Sequence, residues 1–365
     1  MKSTRNWPDR RIIDLLKIEH PILQAPMAGA QLSPLAIAAT KGGALGALPC
    51  AMLSAEQTRR EFAAFRAAAP GAPLNVNFFC HAPPAGNPLA LDGWKATLLP
   101  YYAELGVPAN AEAPSASRRP FDSEACVLVE ELRPEIVSFH FGLPDAALLA
   151  RVKAAGARVL ASATTVAEAR WLAERGVDAV IAQGNEAGGH RGIFLGHDIS
   201  TQPGLFALLP QVVDAVQLPV IAAGGIGDAR GIAAAFALGA AAVQIGTAYL
   251  FTPEATVPAV HRAALREARD DGTALTNLFS GRPARGLMNR VMRELGPMSP
   301  AAPAFPLAGA ALAPLRAKAE PAGDGGFQSL WAGQAAALSR DTVQGEGAET
   351  LTRRLIAEAL GRIGV

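Results

Sequence analysis

Residues 183–192, Gln183-Gly184-Asn185-Glu186-Ala187-Gly188-Gly189-His190-Arg191-Gly192, bring a titratable imidazole into a glycine-dense polar loop directly after the apolar run Asp178-Ala179-Val180-Ile181-Ala182. That order puts His190 at the exit of a strand. Ligand sites of α/β proteins form there, and glycines let backbone N–H groups approach a ligand closely. A second turn, Gly224-Gly225-Ile226-Gly227-Asp228, follows Val220-Ile221-Ala222-Ala223 in the same way. Two such loops point to one shared, phosphate-bearing ligand. Gly225-Ile226-Gly227 does not complete a dinucleotide fingerprint, which needs GxGxxG and an acidic residue about 20 positions later. The better reading is the phosphate site of a barrel's last two loops, with backbone N–H groups of Gly225 and of Gln244-Ile245-Gly246-Thr247 around a phosphate near a helix N-terminus. Tight turns that serve packing alone would spell the same letters.

Other groups belong to the same face. Ala25-Pro26-Met27-Ala28-Gly29 ends the first strand, and Met27 offers a soft, polarisable contact for a flat ring. The amides of Asn77 and Gln183 can satisfy ring carbonyls and nitrogens. His190, flanked by glycine and arginine, lies on no apolar face, which favours a catalytic role over a core one. No HExxH motif is present, and His190 with His197 lacks a nearby carboxylate or cysteine set, so no metal is expected. Of the other histidines, His140 on the fourth strand could point into the barrel mouth. No GxSxG elbow appears, and Cys50, Cys80 and Cys126 are too widely spaced for a metal site and, being odd in number, cannot all pair in a disulfide framework.

The elements that must position these groups alternate. Eight short apolar runs recur at 21–25, 43–48, 73–79, 135–141, 157–161, 178–183, 218–223 and 241–245, with alanine-rich helical stretches between them. Eight strand–helix units close a TIM (β/α)8 barrel. The helix 166–175 ends at Gly176, and the helix 229–238 ends at Gly239 with Asp228 as its N-cap. The stretch 81–125 after strand three, rich in proline and holding Trp94, Tyr101 and Tyr102, is too long for a loop and reads as an insertion that could cover the site. Residues 1–255 are therefore expected to form the barrel with its insertion. Residues 256–365 are expected to form a C-terminal helical extension packing on it, with 296–326 as a flexible connector.

Composition narrows the function classes. The chain has 365 residues, is 50% hydrophobic and 18% charged, and has a formal net charge of +1. This is enough for a large core, and no block of like charges marks a nucleic-acid surface. Ala233 to Phe251 is the nearest approach to a membrane span, but Gly239, Gln244, Gly246 and Thr247 break it. The first eleven residues contain no signal-peptide apolar region, so a cytoplasmic location with neither nucleic-acid nor membrane partner is expected.

At this point the chain resembles the nitronate monooxygenase family, formerly called 2-nitropropane dioxygenases. The resemblance runs through PILQAPMAGA (21–30), GALGAL (43–48), NVNFF (75–79), QGNEAGGHRG (183–192), AAGGIGDARGIAAAFALGAAAVQIGTAYL (222–250), TNLFSGRPARGLMN (276–289) and FQSLWAGQAA (327–336). It implies an FMN-dependent TIM barrel that oxidises nitronates or nitroalkanes with O2 to carbonyl compounds and nitrite. By that resemblance Ala25, Pro26 and Met27 line the isoalloxazine, and Asn77 and Gln183 hydrogen-bond the flavin. Gly188, Gly225 and Gln244 to Thr247, with Gly246 among them, hold its ribityl phosphate, Gly189 and Gly224 also bind the cofactor, and His190 is catalytic. A histidine with a near-neutral pKa suits either orienting a nitronate or removing the α-proton of a nitroalkane. An FMN-dependent enoyl-acyl-carrier-protein or quinone reductase, and a flavin barrel without turnover, share parts of the pattern; a homodimer is compatible with all three.

Overall fold

The structure, a computed structural model, describes residues 7–84, 88–111 and 118–364. The expected insertion therefore falls partly outside the described residues. The strands are β1 (Ile22–Gln24), β2 (Gly46–Pro49), β3 (Leu74–Phe79), β4 (Ile136–His140), β5 (Arg158–Ala163), β6 (Ala179–Gln183), β7 (Gly189–His190), β8 (Val220–Ala223), β9 (Ala242–Ile245), β10 (Thr273–Thr276) and β11 (Ala284–Leu287). Eight of them form one parallel sheet in the order β1-β9-β8-β6-β5-β4-β3-β2. The ends meet where Leu23 bridges Leu45, with the Gln24 amide donating to the Leu45 carbonyl at 3.0 Å and the Leu45 amide to the Ile22 carbonyl at 2.8 Å. The sheet thus closes into the expected TIM barrel. Its strands are buried almost throughout because both faces are covered, and are mainly apolar apart from polar residues such as Asn77, Ser138, Ser162 and Gln183.

The helices are α1 (Arg11–Leu16), α2 (Ser33–Lys41), α3 (Ala55–Ala68), α4 (Pro88–Glu104), α5 (Ser123–Leu132), α6 (Ala146–Ala154), α7 (Val166–Glu174), α8 (Leu205–Ala215), α9 (Ala229–Ala237), α10 (Ala259–Arg266), α11 (Arg290–Leu295), α12 (Ala308–Ala319), α13 (Ala336–Thr342) and α14 (Ala348–Ile363). Asp228 caps α9, its carboxylate accepting from the amides of Arg230 at 2.8 Å and Gly231 at 3.3 Å.

The C-terminal third differs from the expectation in three ways. It is not only helical, because β10 and β11 pair antiparallel and β11 pairs with the two-residue β7. Nor is α14 an appendage: it packs between α2 and α9 and closes the ring of barrel helices, so a boundary at 255 cuts off the barrel's last helix. Finally, 296–326 is not a loose connector, since it contains α12, a helix that holds Pro314 and buries Leu312 and Leu315.

That helix meets the insertion. Trp94, Leu98, Tyr101 and Tyr102 of α4 join Leu278, Phe279, Met292, Leu312 and Phe327 in a second core outside the barrel. The Trp94 Nε1 donates to the Ala308 carbonyl at 2.9 Å, and the Tyr102 hydroxyl to the Ala311 carbonyl at 2.6 Å. The two excursions from the barrel therefore brace each other. Buried aromatics with satisfied polar tips are a packing device, and Tyr101 and Tyr102 do not line the site as a lid.

Candidate functional site

A cavity of about 360 Å³ opens at the carboxyl ends of the barrel strands, within the range of a small-ligand site. Every residue expected in the site lines it: Ala25, Pro26 and Met27 after β1, Asn77 on β3, Gln183 at the end of β6, and Gly188, Gly189 and His190. Gly224 and Gly225 after β8, Gln244 on β9, and Gly246 and Thr247 after it complete the set. The structure adds Ser138 from β4 and Ser162 from β5, and it places His140 of β4 in the barrel mouth, as its strand position allowed. Arg118, Arg316 and Trp331 enter from the two excursions.

One end suits an anionic group held by backbone. Among the described residues, the amides of Gly224, Gly225 and Gly246 donate to no protein acceptor. Gly224 and Gly225 have φ of 109° and 70°, the left-handed region open to glycine. A Cβ on Gly225 would lie 3.3 Å from the Glu186 Cβ, so bulk there is opposed by backbone and neighbour rather than by the space a phosphate would fill. The first-turn amides of α9 already belong to Asp228, which moves an anion site off that helix and onto the preceding glycine turn. The segment 330–335 packs over this end: the Gly333 amide donates to Thr247 Oγ1 at 2.9 Å, and the Gln334 amide to the Glu186 carbonyl at 2.9 Å. A Cβ on Gly188 would meet the Gly333 nitrogen at 2.5 Å, so that crossing is made glycine against glycine.

The fit to a flavin mononucleotide rests on these unpartnered amides and on one side chain. Gln244 Oε1 is buried without a hydrogen-bond partner on a residue that lines the cavity. A buried orphan of this kind is costly unless a ligand satisfies it. Asn77 donates from Nδ2 to the Ser138 carbonyl at 3.1 Å and to Ser138 Oγ at 2.9 Å. Gln183 donates from Nε2 to the His190 carbonyl at 2.9 Å and accepts from the Gly192 amide at 2.7 Å. Gln183 is thus partly committed to the protein and has one amide hydrogen left for a ligand.

His190 sits on the short β7, its Nε2 2.9 Å from Ser280 Oγ. Its Nδ1 has no protein partner among the described residues, so that atom is the one left for a ligand. The hydroxyl of Ser280 has one hydrogen. Given to His190 Nε2, it leaves Nδ1 a donor; given to the Arg282 carbonyl 3.2 Å away, it leaves Nδ1 an acceptor. Rings enclose the imidazole: Phe305 at 5.3 Å, Trp331 at 5.5 Å, Phe141 at 6.0 Å and Phe79 at 6.2 Å between centroids.

Burial, with Arg118, His140, Arg282 and His81 nearby, holds the His190 pKa well below that of a free imidazole. The near-neutral base expected from sequence is therefore corrected to a neutral imidazole and a weak base. The same burial brings His140 to about 4 and His261 to about 4. Arg118 falls to about 10 through burial and the charge of Arg316. The lining residues include no aspartate or glutamate, and neither arginine forms an ion pair among the described residues. Glu320 acts on Arg316 from outside the lining, and a cavity lined by two guanidinium groups with no lining carboxylate among the described residues favours an anion.

Sequence gave little notice of Arg118 and Arg316, which stand in proline- and alanine-rich segments like ordinary surface charges. Ser138 and Ser162 had a fainter signal, as polar residues inside apolar strands. Among the described residues there is no cluster able to hold a metal, and no helix long and apolar enough to cross a membrane.

A model of the nitronate monooxygenase family matches residues 9–353. The nitronate monooxygenase of Paraburkholderia phytofirmans is 41% identical over 350 residues, covering 95% of this chain and 95% of that protein. The solved structure of the nitroalkane oxidase from Streptomyces ansochromogenes superposes with a TM-score of 0.85 at 38% identity, covering 96% of this chain and 98% of that one. FabK from Thermotoga maritima superposes with a TM-score of 0.73 at 27% identity, covering 98% of each chain.

Proposed function

The chain belongs to the nitronate monooxygenase family, FMN-dependent oxidoreductases acting on nitronates and nitroalkanes, and from that premise we propose that it acts on the nitronate anion, with His190 as the residue that meets it. FMN supplies the electron-accepting chemistry, with O2 as oxidant, that turns a nitronate into a carbonyl compound and nitrite. The amides of Gly224, Gly225 and Gly246 would hold its phosphate, Gln244 and Asn77 would offer hydrogen bonds to its polar edges, and Met27 would pack on its rings.

The observation that carries the choice of the anion is the charge of the cavity. Among the described residues Arg118 and Arg316 form no ion pair and no carboxylate lines the cavity, Glu320 acting on Arg316 only from outside the lining, and His190 is too weak a base at neutral pH to remove the α-proton of a nitroalkane efficiently. With Nδ1 protonated, His190 donates to a nitronate oxygen, and the surrounding rings exclude water from that contact. A small-molecule substrate follows from the family. The cytoplasm and a homodimer fit this reading.

The test is anaerobic mixing of the FMN-loaded protein with ethyl nitronate, nitroethane, NADH and NADPH in turn, following flavin absorbance. Rapid bleaching by the nitronate alone is expected, and reduction by a nicotinamide but not by nitronate would make the protein a reductase. His190→Ala should keep FMN and lower kcat/KM for ethyl nitronate by about 10- to 150-fold, the worth of one hydrogen bond to a charged group. Wild-type kcat/KM should stay flat from pH 6 to 8, because His190 is already neutral there. An inflection near pH 6.5 would show instead that it titrates as a free imidazole.

A further inference from the structure

We propose that His140 is the positioning residue of His190: it holds the His190 peptide through a hydrogen bond whose direction Ser162 fixes. This rests on the reading that His190 meets the substrate.

His140 ends β4, and its Nε2 lies 3.2 Å from the His190 carbonyl. A carbonyl oxygen only accepts, so Nε2 carries the hydrogen. The neutral ring then has a bare Nδ1, which accepts from the Ser162 hydroxyl at 3.1 Å. The tautomer of His140 is thus set by its two neighbours. Burial holds His140 neutral at physiological pH, its pKa lowered to about 4, which preserves this one-way donor.

The arrangement answers a mechanical need. β7 has two residues and pairs on one side only, through Ala284 and Arg285 of β11. Gly189, which precedes His190, is at φ 71°, where a glycine peptide turns easily. A side chain hung on such a strand is aimed no better than its peptide plane. That plane is fixed by two donors on one carbonyl, His140 from β4 and Gln183 from β6 at 2.9 Å, with Ser162 of β5 between them. Three consecutive strands of the rigid barrel thereby set the direction of one peptide outside it.

Gly192 supports the same reading. A Cβ there would lie 3.0 Å from His140 Cε1, 3.2 Å from Ser162 Cβ and 3.4 Å from Gln183 Oε1. It faces all three members of the clamp, and an added methyl presses on them without removing any hydrogen-bonding group.

The experiment is a double-mutant cycle on FMN-loaded protein with ethyl nitronate as substrate. His140→Leu, His140→Gln, Ser162→Ala and Gly192→Ala are each made alone and in the His190→Ala background, and kcat, KM and FMN affinity are measured. His140→Leu should lower kcat about 10-fold or more, since displacement of a reacting group by about 1 Å costs up to 10²-fold. KM and FMN affinity should change less than threefold. His140→Gln, whose amide can donate from about the same reach, should recover most of the loss. Ser162→Ala should cost about fivefold, the worth of one hydrogen bond, and it replaces His140→Leu as the test if that variant does not fold. Gly192→Ala should lower kcat in the same direction.

In the His190→Ala background each change should cost less than twofold, because its effect passes through His190. Equal losses in both backgrounds, loss of FMN in proportion to kcat, or a glutamine as poor as leucine would overturn the positioning role. Full activity of His190→Ala would instead overturn the reading on which it rests. A crippled His190→Ala beside unimpaired His140→Leu and Ser162→Ala would sink the positioning role alone.

Discussion

Arg118 is a charge held against its own solvation. Burial, and after it the neighbouring Arg316, bring its pKa from the ordinary guanidinium value to about 10, so the ligand-free protein bears this cation at a cost of about 3 kcal/mol. Its Cζ stands 6.0 Å from the Phe305 ring, which offsets little of that. Residues kept at such a cost are characteristic of binding sites. Replacing Arg118 by Met keeps the stem and deletes the charge, and two opposite effects should follow. A hydrogen bond to a charged group is worth about 1.5–3 kcal/mol, so KM for ethyl nitronate should rise about 10- to 150-fold. The substrate-free holoenzyme should become more stable: with an unfolding entropy of about 2.1 cal/mol/K per residue over 365 residues, about 3 kcal/mol raises Tm by roughly 4 °C. Oxygen consumption gives the first quantity and calorimetry of the FMN-loaded protein the second. A KM within threefold of wild type together with a lower Tm would show that Arg118 is structural and that the cavity does not select an anion through it.

Three further outcomes follow from the packing and the buried histidines. Gly188→Ala drives a methyl to 2.5 Å from the Gly333 nitrogen, and overpacking of about 1–3 kcal/mol should weaken FMN binding to the apoprotein about 5- to 150-fold; a fluorescence titration giving a Kd within twofold of wild type would refute the glycine-on-glycine crossing. Tyr101→Ala should leave the selectivity between short and long nitronates unchanged while lowering Tm by roughly 4–6 °C through loss of about 3–5 kcal/mol of core packing, and altered selectivity at unchanged Tm would restore the lid role. His81 and His261, buried with pKa lowered to about 4, refuse protons that the unfolded chain accepts below its usual pKa, so stability should fall as pH drops from about 6.5 toward 4 by up to about 3 kcal/mol for each; His261→Gln, which can still donate toward the Trp331 carbonyl, should flatten that slope, and an unchanged slope in a calorimetric pH series would count against it.

What the sequence disclosed, and what it withheld, divides along the range of the interactions involved. The barrel strands were legible because each is a short apolar run with a local stop, as at Gly176 after α7 or Gly239 after α9, and because Asp228 advertises its cap within three residues. The glycine turns and the Met27, Asn77 and Gln183 positions were legible for the same reason, since they sit at fixed offsets from strand ends. Long-range partners were not. β7 exists only because Ala284 and Arg285 lie beside it, and two residues have no periodicity to read. The prolines of 296–326 suggested a connector, yet the segment holds α12 with Pro314 inside it, and α4 packs on that helix through Trp94 and Tyr102, which donate to the Ala308 and Ala311 carbonyls. Arg118 and Arg316 show the limit most sharply: a cation in a polar-looking segment is ordinarily paired or solvated, whereas these two line a cavity with no lining carboxylate among the described residues, a property of the assembled cavity that no local pattern of letters contains. The pKa of His190 is of the same kind. A glycine-flanked histidine suggests an exposed, near-neutral base, and only the convergence of Phe79, Phe141, Phe305 and Trp331 from four separate segments buries the ring and makes it a neutral, weakly basic imidazole.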